Sequence, residues 1–320
     1  MLSARRFFYS LMTDQRAGFF VSWIKFILWL CSLLYGIIVK ILSSGYEKNF
    51  FTPYRPDSRV ISIGNITLGG TGKTQAAITI ARKLESYGRR PAILIRGYGA
   101  DEFRLLQEEL KDVPVLVGPD RIGNSKRAFY DFGADTVILD DGFQHYKIHR
   151  DLDIALIDAT NPFGNHELIP RGILREPVTA LKRADIIILN KVDSQAAKAE
   201  EVSKVISMAG KADSVVEAIY RPLDLYDLRT GRAVGLGAVK DKRLCLVSGI
   251  ANPGYFKQNV AKLKAASVDL EFSFMDHYNY KRPDIIKIEK DCRYLGLDYI
   301  VVTKKDAVKI KRLSLRDEAA

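Results

Sequence analysis

Cysteine is scarce. Cys31, Cys245 and Cys292 are the three in 320 residues, and no two stand at a metal-site or redox spacing. That argues against a cysteine zinc site or a disulfide framework and fits a reducing cytosol. No basic motif interleaved with aromatics stands out, so no nucleic-acid partner is expected. Low-complexity tracts and short-period repeats are missing too. Acidic residues are fewer than basic ones, 38 against 49, and the net charge of +11 favours anionic partners such as nucleotides or an anionic membrane surface. The rest of the composition is that of an ordinary globular protein, long enough for one large domain or two modest ones.

The two tryptophans, Trp23 and Trp29, both fall in the apolar stretch 19–42, "FFVSWIKFILWLCSLLYGIIVKIL". Its uncharged core runs from Phe26 to Val39 between Lys25 and Lys40, shorter than the about 20 residues that span a bilayer. At 100° per residue, Ser22, Lys25, Trp29, Ser32, Gly36, Lys40 and Ser43 fall within an arc of about 80°. A narrow polar or small stripe beside a broad apolar remainder suits a helix sunk into the headgroup boundary, with the stripe towards water or towards protein. No small-x-small cleavage site follows at "SSGYEKNF". The expectation is peripheral membrane attachment through a segment 1–50; an ordinary core helix is the alternative.

Beyond a polar linker, apolar runs alternate with helical patterns. Strands are predicted at 59–64, 91–96, 113–117, 135–140, 153–158 and 185–190. Their near-continuous apolar content is that of parallel strands covered on both faces. Helical spacing of Ala77, Ile80, Ala81 and Leu84 follows the first strand, and stretches 120–130 and 194–208 give two more helices. The predicted class is α/β: a P-loop NTPase-like core domain at 51–220, a linker at 221–242, and a smaller α/β domain at 243–320.

Between the first strand and its helix lies "NITLGGTGKTQAA". Gly69, Gly70 and Gly72 let the backbone approach an anion, and the helix adds its positive dipole end. The segment Thr67, Leu68, Gly69, Gly70, Thr71, Gly72, Lys73 and Thr74 is therefore the candidate nucleotide cradle. Lys73 reaches terminal phosphates and Thr74 offers a hydroxyl to Mg²⁺. The strict pattern has glycine six residues before the lysine, where this chain has Thr67. Asp140 and Asp141 end an apolar strand in "TVILDDGFQH", as in phosphoryl-transfer enzymes that hold Mg²⁺.

Two partial likenesses diverge from there. "LGGTGKT" looks like the phosphate loop of membrane-associated partition ATPases, but their signature lysine is Leu68 here, which weakens the reading of a membrane-tethered ATPase or GTPase switch acting through protein partners. "NKVD" (190–193) resembles the guanine-reading motif of GTPases, and it equally reads as a strand end followed by a helix cap.

Nine stretches in one order through 62–310 carry a fuller resemblance: "SIGNITLGGTGKT", "IRGYG", "ADEF", "VGPDR", "LDDGFQHYKIHRDLDIALID", "LIPRGILREP", "SGIANPGYF", "MDHYNY" and "TKKDAVKI". The chain resembles the tetraacyldisaccharide 4'-kinase (lipid A 4'-kinase) family. The resemblance implies transfer of the ATP γ-phosphoryl group, with Mg²⁺, to the 4'-hydroxyl of an acylated glucosamine disaccharide 1-phosphate at the cytoplasmic face of the bacterial inner membrane. It implies no obligate protein partner.

By that resemblance Asp101 is the base and Glu102 a metal contact beside Thr74 and Asp140. The family's Gly-Asp-Glu-Pro reads Ala100-Asp101-Glu102-Phe103 here, and the same acids also suit the start of a helix. His277 is implied to support Asp101, with Lys73 and Asp141 completing the catalytic set. Arg121, His145, Arg171 and Arg175 are implied substrate contacts; a structural role for His145 is the alternative. Lys304 replaces a family glutamate and is a further candidate phosphate contact.

Overall fold

A computed structural model describes residues 2–97, 100–194, 198–210 and 212–315. They group into two compact units: residues 1–97 with 112–218, and residues 98–111 with 219–320.

The first unit opens with helices α1 (Leu2–Met12) and α2 (Phe19–Glu47). Seven strands follow: β1 (Arg59–Gly64), β2 (Pro91–Ile95), β3 (Val115–Val117), β4 (Thr136–Asp140), β5 (Leu152–Asp158), β6 (Ile186–Asn190) and β7 (Val215–Ala218). They form one sheet in the order β3-β2-β4-β1-β5-β6-β7, parallel throughout. The expected parallel α/β core is what the chain adopts.

Helix α3 (Lys73–Ser86) buries Ala77, Ile78 and Ala81, and α6 (Ala199–Ala209) packs Val202 and Ile206 with Ala155, Ile157 and Leu189. Ala128 of the helix Arg121–Phe132 (numbered α5 in chain order) packs with Val60, Ala92, Leu94, Val137 and Leu139. The alternate strand positions Ile63, Ile93, Ile138 and Ile154 are buried as well, so both sheet faces are covered. Each such side chain contributes about 1.5–3 kcal/mol on burial. Asp120 caps α5 by accepting from the Gly123 N–H, and Gly133 closes it in the left-handed conformation.

Helix α2 has two buried residues, Ser32 and Gly45. It is long and apolar enough to cross a membrane. This overturns the core-helix alternative: Lys25, Ser32, Gly36 and Ser43 of the polar stripe turn towards protein, while Trp23, Leu34, Ile38 and Ile41 stay exposed.

In the second unit, β8 (Arg243–Ser248), β9 (Ser267–Ser273) and β10 (Tyr299–Val302) form a parallel sheet in the order β10-β8-β9. Its helices are α4 (Ala100–Glu109), α7 (Pro253–Ala261), α8 (Arg282–Tyr294) and α9 (Lys304–Leu315). Cys245, Val247, Tyr280, Ile288 and Cys292 form a core cluster in this unit.

Candidate active site

The chain leaves β1 at Gly64, where an added Cβ would meet the Phe143 backbone nitrogen at 2.5 Å. Glycine therefore lets the turn after β4 close against this strand. Residues 66–68 then pair with 173–175: the Leu68 N–H donates to the Ile173 carbonyl and the Arg175 N–H to the Ile66 carbonyl, both at 2.7 Å. Thr67 is bridged to Leu174 in this pairing, so the position that is glycine in the strict pattern has extended backbone and takes a side chain.

Gly69 (φ +114) and Gly72 (φ +92) hold the conformations that favour glycine, and Gly72 caps α3. Lys73 and Thr74 are thus the first two helical residues, at the positive end of the dipole. Lys73 Nζ donates to Asn65 Oδ1 at 3.2 Å and lies 3.4 Å from Asp141 Oδ1. In the β1–β4 register Ile63 faces Asp140, and the Thr74 hydroxyl donates to Asp140 Oδ2 at 3.3 Å.

Asp141 has left-handed backbone (φ +55), a conformation uncommon outside glycine and enriched at functional sites. Arg175 Nη1 lies 2.8 and 2.9 Å from its two carboxylate oxygens. Burial raises the Asp141 pKa, but the charges and hydrogen bonds of Lys73 and Arg175 outweigh it and hold the group below the usual range. Buried Arg121 donates from Nη2 to the Asp140 carbonyl at 2.7 Å, and its Nη1 has no hydrogen-bond partner. Lys73, Thr74, Asp140, Asp141, Arg121 and Arg175 therefore converge.

Among the described residues no group of three or more His, Cys, Asp or Glu side chains is arranged to hold a metal. Mg²⁺ does not require one, since it is usually held by one or two carboxylates, water and substrate phosphates. The hard oxygens of Thr74 and Asp140 fit that chemistry.

Behind Arg175 lies a network that the sequence did not single out. Gln144 Oε1 accepts from Arg175 Nη1 at 3.2 Å, and Gln144 Nε2 donates to the Asn65 carbonyl and to Glu176, each at 2.8 Å. Glu176 also accepts from Tyr146 at 2.6 Å and from Arg183 at 2.6 and 2.7 Å. Its sequence signals are the stretches "LDDGFQHYKIHRDLDIALID", which holds Gln144 and Tyr146, and "LIPRGILREP", which holds Glu176.

His145 lies outside this network. Its Nε2 is buried without a hydrogen-bond partner; burial first, then the charges of Arg121, Lys147, Arg150 and Arg96, bring its pKa down to about 4. Arg171 is not brought into the set: its Nη2 donates to both Asp14 oxygens at 2.9 and 3.2 Å, beside Lys25 of α2.

In the second unit the Asp101 side chain lies outside the described residues. Its neighbour Glu102 is 3.8 Å from His277 Nε2, and His277, like Asp141, is left-handed (φ +58). Lys305 Nζ lies 3.3 Å from the same ring nitrogen and donates to Asp276 at 2.9 Å. Lys304 is ion-paired with Glu109 of α4, so Lys305, not Lys304, is the lysine beside His277.

The family model for tetraacyldisaccharide-1-P 4'-kinase matches residues 24–320. The tetraacyldisaccharide 4'-kinase of Syntrophus aciditrophicus is 36% identical over 309 residues, covering 87% of this chain and 82% of that protein. The enzyme of the same name from Vibrio cholerae is 32% identical over 302 residues, covering 88% and 82%. A crystal structure of LpxK from Aquifex aeolicus in complex with ATP superposes with a TM-score of 0.68 at 26% identity, covering 90% of each chain. These likenesses favour a kinase over the tethered switch, and the chain belongs to the tetraacyldisaccharide 4'-kinase family of phosphotransferases.

Proposed function

We propose that the chain transfers the γ-phosphoryl group of ATP to the 4'-hydroxyl of a tetraacyldisaccharide 1-phosphate, giving lipid IV-A in lipid A biosynthesis. The carrying observation is Lys73 at the start of α3, within reach of Asp141, with Thr74 hydrogen-bonded to Asp140. Phosphoryl transfer depends chiefly on alignment and charge neutralisation. The amides of residues 69–74 grip the phosphates and Lys73 meets the terminal charge. Thr74 and Asp140 hold Mg²⁺, which neutralises charge on the phosphate oxygens when bound. Asp141 keeps Lys73 and Arg175 in register, and Arg121 offers its second guanidinium nitrogen to an anion.

The resemblance assigns Asp101 as the base for the sugar hydroxyl, His277 as its support and Glu102 as a metal contact. A substrate with four acyl chains stays in the bilayer, and the exposed apolar surface of α2 fits an enzyme working at the cytoplasmic face of the inner membrane.

The test uses labelled ATP or GTP, with and without the disaccharide lipid, followed by chromatography. Labelled lipid from ATP is expected, absent with Lys73→Ala. Asp101→Ala is expected to lower turnover by about 10²–10⁴-fold with little change in ATP binding. Hydrolysis without any lipid-dependent product would return the chain to the tethered-switch reading.

A further inference from the structure

The stretch Asn190-Lys191-Val192-Asp193 begins at the last residue of β6, and in sequence it is open between a base-reading and a structural role. Its first two side chains reach the phosphate loop. Asn190 Nδ2 donates to the Thr71 carbonyl at 2.9 Å, and Asn190 Oδ1 accepts from the Lys191 N–H at 3.0 Å. Lys191 Nζ lies 3.4 Å from the Gly70 carbonyl oxygen and is ion-paired with Asp158. Both residues are buried, and Lys191 has left-handed backbone (φ +62). Asp158 is fixed in turn by the N–H and hydroxyl of Thr160.

We propose that Asn190 and Lys191 are positioning residues that hold the phosphate loop in its anion-binding shape by its carbonyl oxygens, so that "NKVD" serves the nucleotide's phosphates and not its base. The proposal rests on the reading of the chain as a nucleotide-dependent kinase. In a trans peptide unit the C=O and the following N–H point to opposite sides. Holding the Thr71 carbonyl therefore turns the Gly72 N–H away from Asn190, and holding the Gly70 carbonyl turns the Thr71 N–H away from Lys191, where it donates to the Gly69 carbonyl at 3.2 Å. A loop with three glycines has much backbone freedom to lose, and a carbonyl swung towards phosphate would repel it. Clamping two adjacent carbonyls on the β6 side removes both costs before the ligand arrives. Asparagine suits the first clamp because it donates to the loop while accepting from its own neighbour. Lysine suits the second because Asp158 balances its charge within the fold.

The test compares the full chain with Asn190→Ala and Lys191→Met, using calorimetry with ATP, GTP and inorganic tripolyphosphate, steady-state kinetics with the disaccharide lipid, and thermal unfolding. A weakening of about tenfold is expected for all three anions alike. KM for ATP rises accordingly, while kcat at saturating ATP stays near that of the unmutated chain. Lys191→Arg, which keeps the cation, recovers most of the affinity. Unchanged ATP affinity, or a loss confined to one base, overturns the proposal. Should neither variant fold, the unmutated chain decides: tripolyphosphate displacing ATP supports the clamp, and its failure to do so, or a strong preference for GTP, overturns it. Lipid phosphorylation by the unmutated chain is read in parallel. Its absence would count against the kinase reading, whereas intact transfer with unaltered affinity in the variants would count against the clamp alone.

Discussion

The phenol of Tyr35, on the apolar helix α2, donates a 2.8 Å hydrogen bond to the carbonyl oxygen of Arg175, whose guanidinium lies on Asp141. A second aromatic on the same helix, Tyr46, stacks on Tyr146 at 5.5 Å, and Tyr146 donates to Glu176. Helix α2 thus touches both ends of the network behind Asp141. Tyr35→Phe removes one hydrogen bond, worth about 0.5–1.5 kcal/mol, without altering the exposed apolar face. Turnover is expected to fall severalfold while vesicle co-sedimentation stays unchanged. Unaltered turnover would show that Arg175 keeps its place without α2.

Glu176 is 2% exposed and accepts from Gln144, Tyr146 and both terminal nitrogens of Arg183. Truncating it leaves the half-buried guanidinium of Arg183 without that counter-charge. Breaking such a pair costs about 3–5 kcal/mol, far more than the pair itself contributes over an apolar replacement. Glu176→Ala should lower urea-unfolding stability by that order, and Glu176→Gln by less because it keeps an acceptor. Equal losses in the two variants would mean that the charge is not what matters.

The sequence disclosed what is encoded locally. Strand β1, the glycine loop and the start of α3 are contiguous, and an apolar run followed by glycines and then helical spacing has one economical fold. Asp140 was legible for the same reason, as the last residue of an apolar strand. Arg171 and Arg175 stand four residues apart in one motif, yet one meets Asp14 and the other Asp141. Only the chain path at 173–175, paired with 66–68, separates them. Contacts joining distant segments, such as Gln144 with Asn65 or Asn190 with Thr71, leave no periodic trace. The short edge strand β7 and the strongly polar helix α8 escaped because neither has the continuous apolar run that marked the central strands.

Leu34 and Ile38 on α2 are each 64% exposed and stand four residues apart, on one helical face. Under the proposed membrane attachment, replacing both with glutamate leaves the core untouched but sets two charges against lipid, where each costs up to about 2.5–3.5 kcal/mol at bilayer depth and less at the interface. Partition into vesicles should fall at least about tenfold, with the melting temperature held within a few degrees. Partition unchanged by the double substitution would mean that other surfaces hold the membrane.

His145 supplies a pH signature. Its folded-state pKa is brought down from 6.5 to about 4, mainly by burial and then by Arg121 and neighbouring cations. Between those values the unfolded chain binds a proton that the folded chain refuses, so stability falls as pH drops from 6.5 towards 4 and changes no further below it. The full window corresponds to about 3 kcal/mol before solvent screening, which reduces it for a partly exposed ring. Asp14 does not mask the effect: burial raises its pKa, but Lys25, Asn165 and Arg171 bring it to about 2, leaving it ionised throughout the window. Urea unfolding at pH 7 and pH 5 should show the loss in the unmutated chain and a smaller one in His145→Gln. An identical loss in both would place the titrating group elsewhere and leave the histidine without this role.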